Sequence, residues 1–154
     1  VKVVGIAGDS GFVSINTTKY LMNREVGFGR KLLQILEDLN ISWDHMPTGI
    51  DDLSVILRSK ELTPIKEQEI LKHLIQDLQV DHAEIEHDLS IIMIVGENMK
   101  NQIGVTATAT KALSENNINI QMISQGSSEV SIMFVVNQEQ EKQAIKALYD
   151  VFFN

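Results

Sequence analysis

Two glycines, Gly27 and Gly29, stand just before an apolar helical run, with Glu25 upstream of that run and Asp44 downstream of it. Glycines at such a turn allow close backbone approach, and the free N–H groups of a helix N-terminus attract a carboxylate. A cradle for a carboxylate beside fixed anions for an ammonium group fits a free α-amino acid. Met22 and Phe28 flank the turn. Thr48, Gly49, Asp51 and Asp52 form a loop that can close over a ligand side chain, and an extra cation would suit its two aspartates. The competing reading makes the glycines ordinary turn residues and Asp44 a surface charge. A glycine pair alone does not choose between the two.

The pattern occurs twice. Gly104-Val105, a helix, and Asn117-Ile118 through Gln125-Gly126 repeat Gly27-Phe28, a helix, and Asn40-Ile41 through Gly49, and 104−27, 117−40 and 126−49 all equal 77. The offset also pairs Met22 with Met99 and apolar Leu53, Val55, Ile56 and Leu57 with Val130, Ile132, Met133 and Phe134. A chain of 154 residues is thus two copies of 77. Each copy is near the lower limit for independent stability, so the copies are expected to lean on each other or on a second chain. The second copy presents Met99, Gly104, Val105, Asn119, Gln121, Gln125, Gly126 and Ser127 as a second site or an interface. Gln121 stands where Asp44 stands. A neutral amide is a poorer partner for a cation, so this site should take a smaller polar ligand or none.

The elements that must hold these residues follow from periodicity. Val1 to Ile6 predicts a strand, Ala7 to Gly11 a turn, and Phe12 to Thr18 a second strand with Val13, Ile15 and Thr17 on one face. Leu32, Leu33, Leu36 and Leu39, widened by Ile35, predict the first helix. Ile41 to Met46 and Leu53 to Arg58 read as strands. Thr63 is a helix cap with Pro64 at the first helical position, and Leu71, Leu74, Ile75 and Leu78 form the stripe behind them. Val80 to His87 is a further strand. The second copy runs as strand Leu89 to Val95, helix Val105 to Glu115, strand Ile118 to Ser124, strand Glu129 to Val136 and helix Glu139 to Phe152.

The fold class is therefore α+β: two ferredoxin-like βαββαβ units, each an antiparallel sheet with helices on one face. The second copy lacks its fourth strand, and the repeat offset maps that strand back onto Val3 to Asp9. The first unit (10–88) is thus expected to be inserted into the second (1–9 plus 89–154).

Composition narrows the function classes. Net charge is −8 with Lys and Arg scattered, which argues against nucleic acid and anionic membrane as partners. Aromatic residues make up 5%, too few for base-stacking platforms. With no cysteine there is no disulfide framework, thiol nucleophile or cysteine-ligated zinc. The longest apolar runs are strand-length, short of a membrane span. His82, Glu84, Glu86 and Asp88 share one strand face opposite Ala83 and Ile85, a solvated face rather than a metal site. No Ser-His-Asp arrangement marks a catalytic residue, and no cofactor motif is present; Gly5, Gly8 and Gly11 match neither a dinucleotide fingerprint nor a phosphate loop. Most of the six methionines read as core, with Met22 and Met99 set apart because both precede a glycine turn. The start at Val1 rather than Met suggests an excised fragment.

Met22-Asn23-Arg24-Glu25-Val26-Gly27-Phe28-Gly29, Asn40-Ile41-Ser42-Trp43-Asp44 and Asn117 through Glu129 resemble tandem ACT domains, in particular the regulatory pair of the aspartate kinases. The resemblance implies a cytoplasmic allosteric sensor that feeds back on lysine, threonine and methionine synthesis. It further implies a homodimer through the ACT units and an N-terminal kinase domain as partner, with catalysis residing outside this chain. The family's effector contacts fall on Met22, Glu25, Phe28, Gly29, Ser42, Trp43, Asp44 and Gly49, and the first unit looks most like the lysine-responsive type, with L-threonine as a second ligand to test. Glu25 and Gly29 depart from the residues common at their positions, and the loop from Gly49 to Leu53 is longer than in the simplest members. The alternative is a free-standing tandem ACT protein or a dimerisation module with vestigial sites.

Overall fold

The computed structural model describes residues 3–126 and 131–154. Two compact units emerge: Gly11–His87, the first, and Val1–Ser10 with Asp88–Asn154, the second.

In the first unit, β1 (Val3–Thr18) and β2 (Asp52–Arg58) pair antiparallel, from Phe12 opposite Arg58 to Thr18 opposite Asp52. The strand order is β2-β1-β3, with β3 running His82–Gly96. Helix α1 (Phe28–Asp38) buries Phe28, Leu32, Ile35 and Leu36, and α2 (Pro64–Gln76) buries Ile70 and Leu74. These side chains close one core with Val13, Ile15, Val55 and Leu57 from the sheet. Thr63 Oγ1 accepts from the Lys66 N–H at 3.2 Å, the expected cap.

The Asn-Ile pairs of the repeat prove to be helix stops. Asn40 and Asn117 take left-handed backbones, with φ of 58° and 57°. The N–H groups of Ile41 and Ile118 then reach back to the carbonyls of Leu36 and Leu113 at 2.9 and 3.0 Å. This closes a Schellman-type end in which the isoleucine is buried against its own helix.

In the second unit the strand order is β1-β3-β5-β4, with β4 (Met122–Ser124) and β5 (Ser131–Asn137) antiparallel. Helices α3 (Val105–Glu115) and α4 (Glu141–Phe153) cover a core of Ile92, Ile94, Leu113, Ile132, Phe134, Val136 and Leu148.

Several expectations are corrected. Ala7 to Gly11 is not a turn, because β1 runs unbroken through it. Gly8 belongs there because a Cβ would lie 2.6 Å from Ile145 Cδ1 of α4, a close approach that removes the side chain without ending the strand. Likewise Val80–His87 and Leu89–Val95 are not two strands but parts of β3, which passes Asp88 with φ 57°. Ile41–Met46 is irregular; among the described residues its one bridge to β2 is His45–Ile56, and a second, Thr48–Leu53, follows it. Its counterpart shortens from Ile118–Ser124 to Met122–Ser124. The α2 stripe is rotated: Ile70, Leu74 and Leu78 are buried, while Ile75 is 55% exposed. Met22 and Met99, set apart as non-core, are 5% and 2% exposed and plug the two cores. Val1, Lys2 and residues 127–130, where a strand start and Ser127 were expected, lie outside the described residues.

Candidate functional site

The turn before α1 is built by backbone chirality. A 3-10 turn spans Met22–Arg24, the Glu25 N–H donates to the Met22 carbonyl at 3.1 Å, and Gly27 starts the helix at φ 85°, ψ 5°. That region is costly for any residue with a Cβ. Gly104 starts α3 in the same way, at φ 88°, ψ 0°. Nothing lies within 4 Å of a Cβ built on Gly27, Gly29 or Gly104, so both turns face open space. Val26 and Ile103, related by the repeat, are 95% and 98% exposed beside them. Phe28 and Val105 point inward to the cores and cannot offer their side chains to a ligand. The Phe28 N–H is also committed, to the Glu25 carbonyl at 3.3 Å, and the Lys31 N–H to the Gly27 carbonyl at 2.9 Å, with the N–H groups of Gly29 and Arg30 between them.

Glu25 is not the free anion expected of it. Its carboxylate meets Lys19 Nζ at 2.6 Å and Lys31 Nζ at 3.6 Å, and the Lys19 ammonium holds its pKa below the usual carboxylate value. Lys19 Nζ also donates to the Leu78 carbonyl at 2.7 Å and lies 5.8 Å from the Phe28 ring centroid. The backbone N–H of Lys19 donates to the Asp51 carbonyl at 2.9 Å. One residue, absent from the sequence expectation, thus ties the Gly27 turn to the Gly49–Asp52 loop. Only the fold reveals it, since a single lysine six residues before a glutamate carries no recognisable spacing.

The remaining candidates divide. Gly49 closes a tight loop, its N–H donating to the Asp52 carbonyl at 2.9 Å, and a Cβ there would collide with the Asp52 carboxylate. Thr48 Oγ1 donates to the Met46 carbonyl at 3.2 Å. Asp44 is exposed; its N–H donates to the Ile56 carbonyl at 2.9 Å, and its carboxylate makes no hydrogen bond or salt bridge among the described residues. Beside it, burial lowers the pKa of His45, opposed in part by the Asp44 charge. Ser42 and Trp43 line a groove of about 600 Å³ with Leu33, Leu36, Glu37 and Glu61. That groove lies at the C-terminal end of α1, away from the glycine turn at its start.

In the second unit Gln121 is occupied, donating from Nε2 to Asn137 Oδ1 at 2.6 Å and from its N–H to the Val135 carbonyl at 2.8 Å. Asn119, Gln125 and Gly126 are exposed. The positions matching Lys19, Glu25 and Lys31 carry Gly96, Gln102 and Thr108 (each 77 further on), so the charged cluster belongs to the first turn alone. Among the described residues no group of three or more His, Asp or Glu could hold a metal ion, and no helix is long and apolar enough to cross a membrane. His87, in the tract first weighed for metal, pairs with Glu67 at 2.9 Å.

This architecture matches known proteins. Residues 92–152 match the ACT domain family model. The chain is 52% identical over 151 residues to Aspartokinase 3 of Bacillus subtilis, covering 98% of this chain and 33% of that protein. It superposes on Clostridium acetobutylicum aspartate kinase with a TM-score of 0.91 at 35% identity, covering 97% of this chain and 34% of that one. The regulatory subunit of aspartate kinase from Thermus flavus gives 0.83 at 22% identity, covering 99% of both chains. The protein is an ACT-type regulatory domain of α+β architecture. Along nearly its whole length the chain is similar to aspartate kinases, and it spans about a third of the length of those longer relatives.

Proposed function

We propose that this chain senses a free amino acid, L-lysine, and through it inhibits an attached or associated aspartate kinase domain. The observation that carries the reading is the 52% identity to Aspartokinase 3, which runs along 98% of this chain yet occupies a third of that protein. The first unit supplies the chemistry. An open helix start at Gly27, with the N–H groups of Gly29 and Arg30 ahead of the first helical bond from Lys31, suits the ligand carboxylate, and the exposed Asp44 carboxylate suits an ammonium group. Thr48 and Gly49 belong to the loop over the ligand. The second unit, with Gln121 satisfied by Asn137, is left to a neutral ligand such as L-threonine or to contact with a second copy. The first unit, 10–88, is the effector-binding one, and the cytoplasm is its place of action.

Inhibition requires the ligand to prefer the inactive arrangement, and a coupling of roughly 1–3 kcal/mol is typical. The test is aspartate-dependent ADP formation by the full-length polypeptide, measured across lysine concentrations, with and without residues 10–88. Inhibition that disappears with the deletion supports the reading; a lysine-insensitive parent with intact kinase activity overturns it.

A further inference from the structure

The Glu25 carboxylate, beside the glycine turn, is already paired with an ammonium of the chain itself. Glu25 lies two residues before the Gly27 turn, and its carboxylate is held by the Lys19 ammonium at 2.6 Å with Lys31 at 3.6 Å on its other oxygen. The Lys19 side chain is 21% exposed, and its ammonium is anchored a second time on the Leu78 carbonyl at 2.7 Å, at the C-terminal end of α2. Phe28 lies beneath it at 5.8 Å. The pair is therefore a fixed part of the turn rather than two loose surface chains. Two ammonium groups beside one carboxylate leave the neighbourhood net positive, which repels a ligand ammonium from Glu25. Asp44 is not neutralised in this way.

We propose that Lys19 is a built-in competitor that sets the first unit's specificity: its ammonium holds Glu25 in place of a ligand's and leaves the ligand's to Asp44. This deepens the amino-acid-sensing reading and rests on it. In the second unit Gly96 and Gln102 replace the pair, so no such competitor exists there. Glu25 is then a positioning residue of the turn, and removing Lys19 turns it into a second ammonium acceptor. The first unit should consequently discriminate between L-lysine and L-norleucine, which has the same chain without the ε-ammonium, less well than it does once Lys19 is gone.

The experiment is calorimetric titration of L-lysine and L-norleucine into the full-length polypeptide and its Lys19→Met, Lys19→Gln, Glu25→Gln and Lys19→Met/Glu25→Gln variants. The Gln variant keeps a donor for the Leu78 carbonyl, so a folding defect in Lys19→Met does not decide the outcome. The lysine-to-norleucine affinity ratio should rise about threefold to fivefold in both Lys19 variants, the range of a partly exposed ion pair. It should fall in Glu25→Gln, which leaves the Lys19 and Lys31 ammonium groups uncompensated, and return toward the parent value in the double variant. A ratio unaltered in both folded Lys19 variants, or raised by Glu25→Gln alone, overturns it and leaves the sensing reading standing. Absence of lysine binding by every variant overturns both.

Discussion

Gly27 and Gly29 look alike in the sequence, and the structure assigns them opposite energetic signs. Gly27 begins α1 at φ 85°, whereas Gly29 lies inside α1 without a left-handed backbone. No atom lies within 4 Å of a Cβ at either position, so steric collision contributes nothing and only the backbone term remains. Gly27→Ala should cost about 1–2 kcal/mol, the cost of a left-handed L-residue. Gly29→Ala should be neutral to stabilising by about 0.5–1 kcal/mol, because alanine loses less backbone entropy in a helix. The two variants therefore separate by about 2 kcal/mol. Gly104→Ala should match Gly27→Ala in size, since its backbone is the same and its surroundings are as open. Equilibrium urea unfolding, followed by far-ultraviolet circular dichroism, reads all three against the parent. A Gly27→Ala variant as stable as the parent would refute the chirality assignment, as would Gly29→Ala falling with it.

Other consequences are independent of that one. Thr63→Ala removes the acceptor for the Lys66 N–H and should cost about 1 kcal/mol in the same assay, with Thr63→Ser recovering most of it. Phe134 is fully buried in the second core, and Phe134→Ala should cost about 3–5 kcal/mol, read as a lower urea midpoint. Acid should weaken the fold through two groups. Glu25 has a folded pKa below its unfolded value, so its contribution is present above the unfolded value and fades as pH falls through the folded one. His45 also has a lowered folded pKa, so the unfolded chain takes up its proton first and stability declines as pH drops below the unfolded histidine value. Unfolding midpoints between pH 7 and 4 should fall less steeply in His45→Gln near pH 6 and in Glu25→Gln near pH 4.

The sequence makes the helices legible and the sheet edges much less so. Val105 to Glu115 reads correctly because a glycine opens it and an Asn-Ile stop closes it, both local devices. Strand composition misleads where pairing is decided by distant partners. Ile41 to Met46 has the composition of a strand, yet among the described residues it meets β2 in a single bridge, His45–Ile56. Ala7 to Gly11 has the composition of a turn, yet neighbouring strands and α4 hold it extended. The repeat places Met22 and Met99 correctly relative to their glycines and misleads about their role. A methionine before a turn serves as a plug as readily as a contact, and burial decides it. In the candidate site, the glycine turn is legible because its spacing repeats 77 residues on. Lys19 stays hidden, because its importance arises from bonds to Glu25, Leu78 and Asp51 that only the folded chain brings together.

The central claim is that the first unit binds lysine through its glycine turn and Asp44. The most direct measurement is calorimetric titration of L-lysine into the full-length polypeptide and its Asp44→Asn variant, repeated in the presence of L-threonine. The account predicts saturable binding near one lysine per chain, weakened about fivefold or more by Asp44→Asn without loss of fold. Undiminished binding by Asp44→Asn, or no binding by the parent, would contradict it.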